Sequence, residues 1–388
     1  MDFTLSDEQR LIRKAARDFA VKELAPSARE WEETGTFSRQ IFDKMGELDF
    51  TGLYVPEQYG GTAVGRLTAA VVLEELAKGC FATAVYLSVH NMVASLIAQY
   101  GTEEQRERWV SPLALGEKLG AYSLTEAEAG SDAAALGTMA VKQDGGYLVN
   151  GTKLYVTSGG VADIYAVMVR TDESQKQKGI STLVVEKGTP GLEFGPHEPK
   201  MGLNASPTTE LNFKDCFIPA ENLLGREGMG FNLALSALNG GRINIGACAT
   251  GLAQQAFDYA LGYAHKRQQF GRPIVSFQGL QFLIADLATE IEAARLMVYR
   301  AASLMDRGEA GVMEAAMGKR FATDMAMRVT TEAVQILGGY GYMKSYPVEM
   351  YMRFAKIGQI FEGTNQIQRV VIARELNKYK GRKRPDHY

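Results

Sequence analysis

The segment from Ile360 to Val371, I-F-E-G-T-N-Q-I-Q-R-V-V, holds the residue best placed for proton chemistry. Glu362 follows the apolar pair Ile360-Phe361 and precedes Gly363-Thr364, after which Ile367, Val370 and Val371 recur at helical spacing. A carboxylate among apolar neighbours is costly to ionise, so its pKa rises toward neutrality, which suits a general base that takes a weakly acidic proton. The other reading of the same residues is an acid favoured by the dipole at a helix N-terminus.

Further stretches have the composition of ligand-contacting loops. Leu124-Thr125-Glu126-Ala127-Glu128-Ala129-Gly130-Ser131-Asp132 is dense in small and hydroxyl residues, which lets backbone N–H groups approach a ligand or simply makes an interdomain turn. Tyr155-Val156-Thr157-Ser158-Gly159-Gly160 delivers a Thr hydroxyl and a glycine pair at a strand end. Lys266-Arg267-Gln268-Gln269-Phe270-Gly271 sets cations and an aromatic beside a helix break, either for a phosphate-bearing cofactor or as a solvated turn. Gln335 to Tyr342, Q-I-L-G-G-Y-G-Y, ends a helix with more glycine than a C-cap needs. Gly225, Gly228 and Gly230 do not follow a βαβ strand in G-x-G-x-x-G spacing, so a Rossmann site is not supported.

These stretches need elements to position them, and the periodicity supplies them. A capping box at Ser6 and Gln9 opens a helix carrying Leu11, Ala15 and Phe19. Helical patterns follow at Gln40 to Leu48, Leu67 to Lys78 and Phe81 to Tyr100, and Thr102 with Gln105 opens a short helix before Pro112. The segment from Val55 to Gly61 reads as a loop. From about Ala121 strands replace helices: Val141-Lys142 and Tyr147-Leu148-Val149 flank the turn Asp144-Gly145-Gly146, and Ile164 to Arg170, Ile180 to Val185 and Thr209 to Phe213 read as strands. After Gly230 the helical period returns through Ile243 to Ala264, Phe277 to Asp306, Met313 to Leu337 and Gly363 to Tyr379. The expected organisation is a helical domain over 1–120, a β-barrel or β-sandwich domain over 121–226 and a four-helix bundle over 227–388, so the fold class is mainly α with a central β domain.

Composition narrows the function. With 46% hydrophobic and 22% charged residues over 388 positions, the chain can form more than one core. A net charge of −3 gives no electrostatic reason to expect nucleic acid. Cys80, Cys216 and Cys248 are scattered and odd in number, and the four histidines lack ligand spacing, so neither a disulfide framework nor a metal site is expected. The N-terminus has no signal-peptide pattern, and no apolar run approaches membrane-spanning length; a cytoplasmic protein without a membrane partner is the expectation. The basic run Lys380-Gly381-Arg382-Lys383-Arg384 reads as a solvated end.

Taken in order, the chain resembles the acyl-CoA dehydrogenases from end to end. The resemblance rests on Val55-Pro56-Glu57 with Tyr59-Gly60-Gly61, T-E-x-x-x-G-S-D at Thr125 to Asp132, T-S-G-G at Thr157 to Gly160, R-x-x-F-G at Arg267 to Gly271, Q-x-x-G-G-x-G at Gln335 to Gly341 and E-G-T-x-Q at Glu362 to Gln366. It implies FAD, which no local pattern reveals. It assigns Tyr122, Leu124 and Thr125 to one side of the flavin ring and Tyr155 and Thr157 to the other, with Tyr155 standing where relatives often have Trp. Thr364 and Gln366 would contact the cofactor, and Arg267, Phe270, Gln335 and Gly339 would hold the diphosphate and adenosine of FAD in a neighbouring subunit of a homotetramer, or at least a dimer sharing FAD sites. Ser131, Arg242 and Gly363 match substrate-contacting positions, Ser131 and Arg242 toward the CoA part.

In the mechanism the resemblance implies, Glu362 removes the α-proton of an acyl-CoA thioester while the β-hydrogen leaves as hydride to flavin N5. The electrons then pass to an electron-transferring flavoprotein. Some members carry the base at the position of Gly241, which cannot act here, leaving Glu362. Leu238 to Ile245, Ser88 to Met92, Asp132-Ala133-Ala134 and Val184 to Gly191 look like the isobutyryl-CoA dehydrogenase branch. The implied substrate is isobutyryl-CoA or 2-methylbutyryl-CoA, as in branched-chain amino acid or fatty acid catabolism, with straight short-chain or cyclic acyl-CoA as the alternative. An acyl-CoA oxidase and a non-catalytic acyl-CoA-binding flavoprotein are the more distant readings.

Overall fold

The computed structural model describes residues 4–309 and 311–378. The basic run Lys380 to Arg384 lies outside the described residues. The chain forms two compact units: Met1–Arg29 with Arg66–Ala84 and Arg242–Tyr388, and Glu30–Gly65 with Val85–Gly241.

The elements before the sheet are α1 (Asp7–Phe19), α2 (Ala28–Thr34), α3 (Arg39–Glu47), α4 (Gly65–Gly79), α5 (Phe81–Tyr100), α6 (Glu103–Gln105) and α7 (Ser111–Ala114). Both expected capping boxes form: Ser6 Oγ accepts from Gln9 N, and Thr102 Oγ1 accepts from Gln105 N, each with the reciprocal side-chain bond. By length and composition α5 is apolar enough to cross a membrane, contrary to the sequence reading, but 94% of its most apolar window is buried inside the structure, as in a core helix.

The helical unit also contains α9 (Gln278–Asp306), α10 (Val312–Leu337), α11 (Val348–Gly358) and α12 (Asn365–Asn377). On α10 the buried positions Met313, Ala316, Lys319, Thr323, Ala326, Thr330, Ala333 and Leu337 recur every three or four residues and form its core-facing stripe. Lys319 therefore stands where the helix period calls for an apolar residue. In the same unit Glu74 and Glu75 on α4, both 1% exposed, are satisfied by cations and a phenol: Arg295 and Tyr299 reach Glu74 at 2.9 and 2.8 Å, and Arg13, Arg17 and Lys78 reach Glu75. Helix α11 is absent from the stretches read off the sequence, although Val348, Met350, Phe354, Ala355 and Gly358 lie on its buried side. Preceding residues rich in Gly, Tyr and Pro hide its start. The helix expected over Ile243 to Ala264 is the longer α8 (Gly230–Lys266). Its N-terminal part carries Asn239-Gly240-Gly241, poor helix formers that tertiary packing overrides.

The other unit is built on one seven-stranded sheet with the order β1 (Gly120–Ser123), β4 (Ile164–Arg170), β2 (Met139–Gln143), β3 (Gly146–Thr157), β7 (Thr208–Pro219), β6 (Leu192–Phe194), while β5 (Ile180–Glu186) pairs with β4. The expected hairpin joins β2 to β3 with Gln143 opposite Gly146. Strand β1 runs parallel to β4, and β3 pairs antiparallel with β7 over its whole length. The core of this unit joins Trp109, Leu113, Ile164, Ala166, Met168, Ile180 and Val184, all 0% exposed. His90, also 0% exposed, ties helix to strand: Nε2–H faces the carbonyls of Thr51 and Leu113 at 3.1 Å each, and Nδ1 accepts from Gly120 N at 3.0 Å. Those partners require the neutral ring with its proton on Nε2, and burial lowers its pKa to about 4.

Candidate active site

In the helical unit the geometry begins with two consecutive left-handed residues, Glu362 at φ 54° and Gly363 at φ 85°. The positive φ favours glycine at 363, and a Cβ there would lie 2.9 Å from Gln368 Nε2, displacing the amide that holds the turn. Thr364 then caps α12 by accepting from Ile367 N at 3.2 Å. Glu362 lies two residues before this cap, outside the first turn of the helix.

The loop backbone is fastened from α10 and α12. Gln368 Nε2 donates to the carbonyls of Glu362 (3.1 Å) and Gly363 (2.8 Å). Lys319 Nζ donates to the Gly363 carbonyl at 2.9 Å and to Asn365 Oδ1 at 3.0 Å. Asn365, 3% exposed, donates in turn to Thr323 Oγ1 (2.9 Å) and Asp324 Oδ1 (2.7 Å). By contrast Glu362 Oε2 is buried and has no hydrogen-bond partner among the described residues.

The electrostatics match this arrangement. Burial drives the Glu362 carboxyl up to about 7, against the pull of Arg242 and Lys319. A helix N-terminus would act in the opposite direction, and Glu362 stands before the cap, so the dipole does not set its pKa. Burial lowers the Lys319 ammonium to about 8, partly offset by Glu362. Arg242, 4% exposed, is likewise lowered by burial and supported by the charge of Glu362. Arg242, which the resemblance gives to the CoA part of the substrate, thus also acts electrostatically on the Glu362 carboxylate.

Elsewhere in this unit Tyr263, Arg267, Gln269, Gln335, Gly339 and Tyr340 line a cavity of about 540 Å³. Arg267 stacks over the Tyr340 ring at 5.5 Å, and a Cβ at Gly338 or Gly339 would meet nothing within 4 Å. Phe270 (φ 51°) and Gly271 (φ 77°) form the two-residue turn between β8 (Gln268–Gln269) and β9 (Arg272–Pro273), a hairpin absent from the sequence reading. The turn leaves the Phe270 ring 93% exposed. A guanidinium, an amide, open glycine backbone and aromatic rings fit the diphosphate and adenosine of a dinucleotide cofactor.

In the sheet-bearing unit a second group of residues is assembled. Leu154 N donates to Thr125 O at 2.8 Å, and the buried Lys153 donates to Leu124 O (3.2 Å) and to Glu126 Oε1 (2.7 Å). Leu124 and Thr125 are thus tied to the end of β3 that carries Tyr155 and Thr157, while Tyr122 lies on β1 opposite Ala166 of β4. Between Lys153 and Val156 the β3–β7 register shifts by one residue, and Tyr155 sits in this bulge at φ 56°, 64% exposed. Ser158 Oγ is buried with no hydrogen-bond partner among the described residues. Ser131 is exposed on the loop that follows β1, and on the helical unit Thr364 is half-buried and Gln366 exposed.

Comparison with known proteins decides the family. The acyl-CoA dehydrogenase N-terminal, middle and C-terminal domain profiles match residues 6–117, 121–216 and 228–377. The chain belongs to the acyl-CoA dehydrogenase family. A short-chain specific acyl-CoA dehydrogenase of Clostridium acetobutylicum is 46% identical over 97% of this chain and 100% of that protein. The mitochondrial isobutyryl-CoA dehydrogenase of Dictyostelium discoideum is 44% identical over 96% of this chain and 90% of its own. A chain in the solved structure of the electron transferring flavoprotein of Acidaminococcus fermentans superposes with a TM-score of 0.96 at 48% identity, covering 97% of this chain and 99% of that one. This dehydrogenase is therefore an FAD-dependent oxidoreductase acting on the CH–CH bond of an acyl-CoA.

Sequence reasoning singles out Glu362 but not what holds it. Lys319 and Gln368 read as members of helical stretches; the available signals were a lysine on an apolar face and an amide one turn after the capping Thr364.

Proposed function

We propose that this dehydrogenase oxidises a short, α-branched acyl-CoA, isobutyryl-CoA or 2-methylbutyryl-CoA, to the 2-enoyl-CoA with Glu362 as the base. The observation that carries the reading is the buried Glu362 Oε2 without a hydrogen-bond partner, on a carboxyl raised to about 7. Such an oxygen is free to accept a proton from carbon, and its basicity is matched to neutral operation. Arg242 and Lys319 keep the ionised form accessible in surroundings that otherwise disfavour it.

FAD, when bound, supplies the acceptor for the β-hydrogen. In the sheet-bearing unit Tyr122, Leu124, Thr125, Tyr155 and Thr157 are the flavin-side residues, and exposed Ser131 is a substrate residue. In the helical unit Thr364 and Gln366 serve the cofactor and Gly363 the substrate, while Arg267, Phe270, Gln335 and Gly339 serve the diphosphate and adenosine of a neighbouring subunit's FAD in a homotetramer. The Phe270 ring, 93% exposed, supports this last assignment because it lacks cover from its own chain. The acceptor is an electron-transferring flavoprotein, a reading supported by the 48% identical chain in the structure from Acidaminococcus fermentans.

An α-branched substrate needs width beside the base for a second alkyl arm. Gly241, without a side chain, and the isobutyryl-CoA dehydrogenase relative support that choice. Anaerobic flavin bleaching against a thioester panel tests it: both branched thioesters should react faster than butyryl-CoA and much faster than octanoyl-CoA, with ~1–3 kcal/mol per methyl. A kcat/KM for butyryl- or hexanoyl-CoA about tenfold above both branched substrates, ~1.4 kcal/mol the wrong way, would replace the branched reading with a straight short-chain one.

A further inference from the structure

Lys319 is 0% exposed, yet it occupies the apolar stripe of α10. A buried ammonium is expensive unless its donors are used. Here they reach the Gly363 carbonyl (2.9 Å) and Asn365 Oδ1 (3.0 Å), on either side of the Thr364 cap. Both acceptors belong to the segment that turns through two left-handed residues at Glu362 and Gly363. A non-glycine residue in that region is strained and persists only where its surroundings hold it.

We propose that Lys319 is a positioning residue for proton abstraction: its ammonium clamps the Glu362–Gly363 turn in its left-handed conformation and supplies a positive charge behind the base at neutral and lower pH. This inference rests on the reading of Glu362 as the base. Asn365 transmits the clamp to Thr323 and Asp324. A hydrocarbon in place of Lys319 would leave the Gly363 carbonyl with Gln368 alone as side-chain donor among the described residues.

The charged groups around this turn separate the role from simple structural support. Arg242 on α8 and Lys319 on α10 act directly on Glu362, and Asp324 on α10 acts on Lys319. Arg369 and Arg374 on α12 lie farther out, Arg369 paired to Asp324 at 3.4 Å and Arg374 acting on Arg242. Lys356 on α11 is engaged with Gln359. Arg242 and Lys319 are thus the cations opposing the burial of the carboxylate, and removing one moves its titration upward.

The test uses the FAD-loaded full-length enzyme, with flavin reduction by isobutyryl-CoA followed by anaerobic stopped flow across pH. The acid limb should vanish in Glu362→Gln; a limb and rate that persist there would sink the base reading itself, separately from the role of Lys319. In Lys319→Met the midpoint should rise by about one unit, which makes reduction at pH 7 about fivefold slower than any loss on the alkaline plateau. Lys319→Arg, which keeps the charge, should hold the midpoint at its wild-type position even if the plateau rate falls. A readout independent of turnover is the infrared C=O band of protonated Glu362, assigned by its loss in Glu362→Gln; in Lys319→Met it should persist to higher pH. Should Lys319→Met not fold, Lys319→Gln carries the same test. A rate lowered by one common factor at every pH, with the midpoint and infrared titration unmoved, would reduce Lys319 to structural support and overturn the proposal.

Discussion

Replacing Glu362 by glutamine is the most direct test of the chemistry, because the side chains are nearly isosteric while only one can take a proton. Since Oε2 makes no hydrogen bond among the described residues, no tie to that atom is lost, and the backbone bonds from Gln368 and Lys319 to residues 362 and 363 do not involve the side chain. Positioning is thus retained and the base alone removed. The expected loss is the ~10²–10⁴-fold of a missing general base, a barrier increase of about 3–5.5 kcal/mol. For stability, two effects oppose each other: the buried carboxylate's desolvation is relieved, while Arg242 and Lys319 lose their counter-charge. The change should therefore be small beside the rate effect. The assay is anaerobic stopped-flow bleaching of the flavin at saturating isobutyryl-CoA, with cofactor content and oligomeric state measured on the same sample. A variant that keeps its FAD and bleaches within tenfold of wild type would show that another group abstracts the proton.

Two further outcomes follow from residues away from the base. Arg267→Ala removes the guanidinium from the cavity of Gln335 and Gly339 and should shed FAD during gel filtration while leaving the Glu362 turn intact; full cofactor retention would count against the cavity as the diphosphate site. His90, buried and neutral with its pKa lowered from 6.5 to about 4, makes the protein acid-sensitive. Its contribution is complete above about pH 6.5, where the unfolded chain also holds a neutral ring, and is lost as pH falls toward 4, amounting to ~3 kcal/mol. Urea midpoints measured across that window should fall steeply for wild type and less for His90→Gln; equal slopes would remove His90 as the cause.

Much of this architecture is legible in the sequence because local signals and tertiary packing agree. The capping residues Ser6 and Thr102, the Asp144-Gly145 hairpin and the apolar periods of α5 and α10 all say locally what the fold uses globally. Glu362 is legible for the opposite reason, as a charge placed where the pattern calls for none. What escapes is whatever depends on distant partners. Residue 319 approaches residue 363 only after α10 packs on α12, so its lysine looks like one charged residue on a helix. The bulge at Tyr155 comes from a register shift against β7, and nothing in Leu154-Tyr155-Val156 announces it. Helix α11 is hidden by its neighbours.

The turn at Glu362 also sets a field. Peptide units are trans, so each N–H points opposite to the C=O of the same unit. The carbonyls of residues 362 and 363 are occupied by an amide and an ammonium from α12 and α10. The amide protons of Gly363 and Thr364 therefore point away from those donors, and each peptide turns its positive dipole end to the other side. An oxygen gaining negative charge there meets dipoles already braced at their negative ends, so the peptide units have little left to reorient when the charge appears.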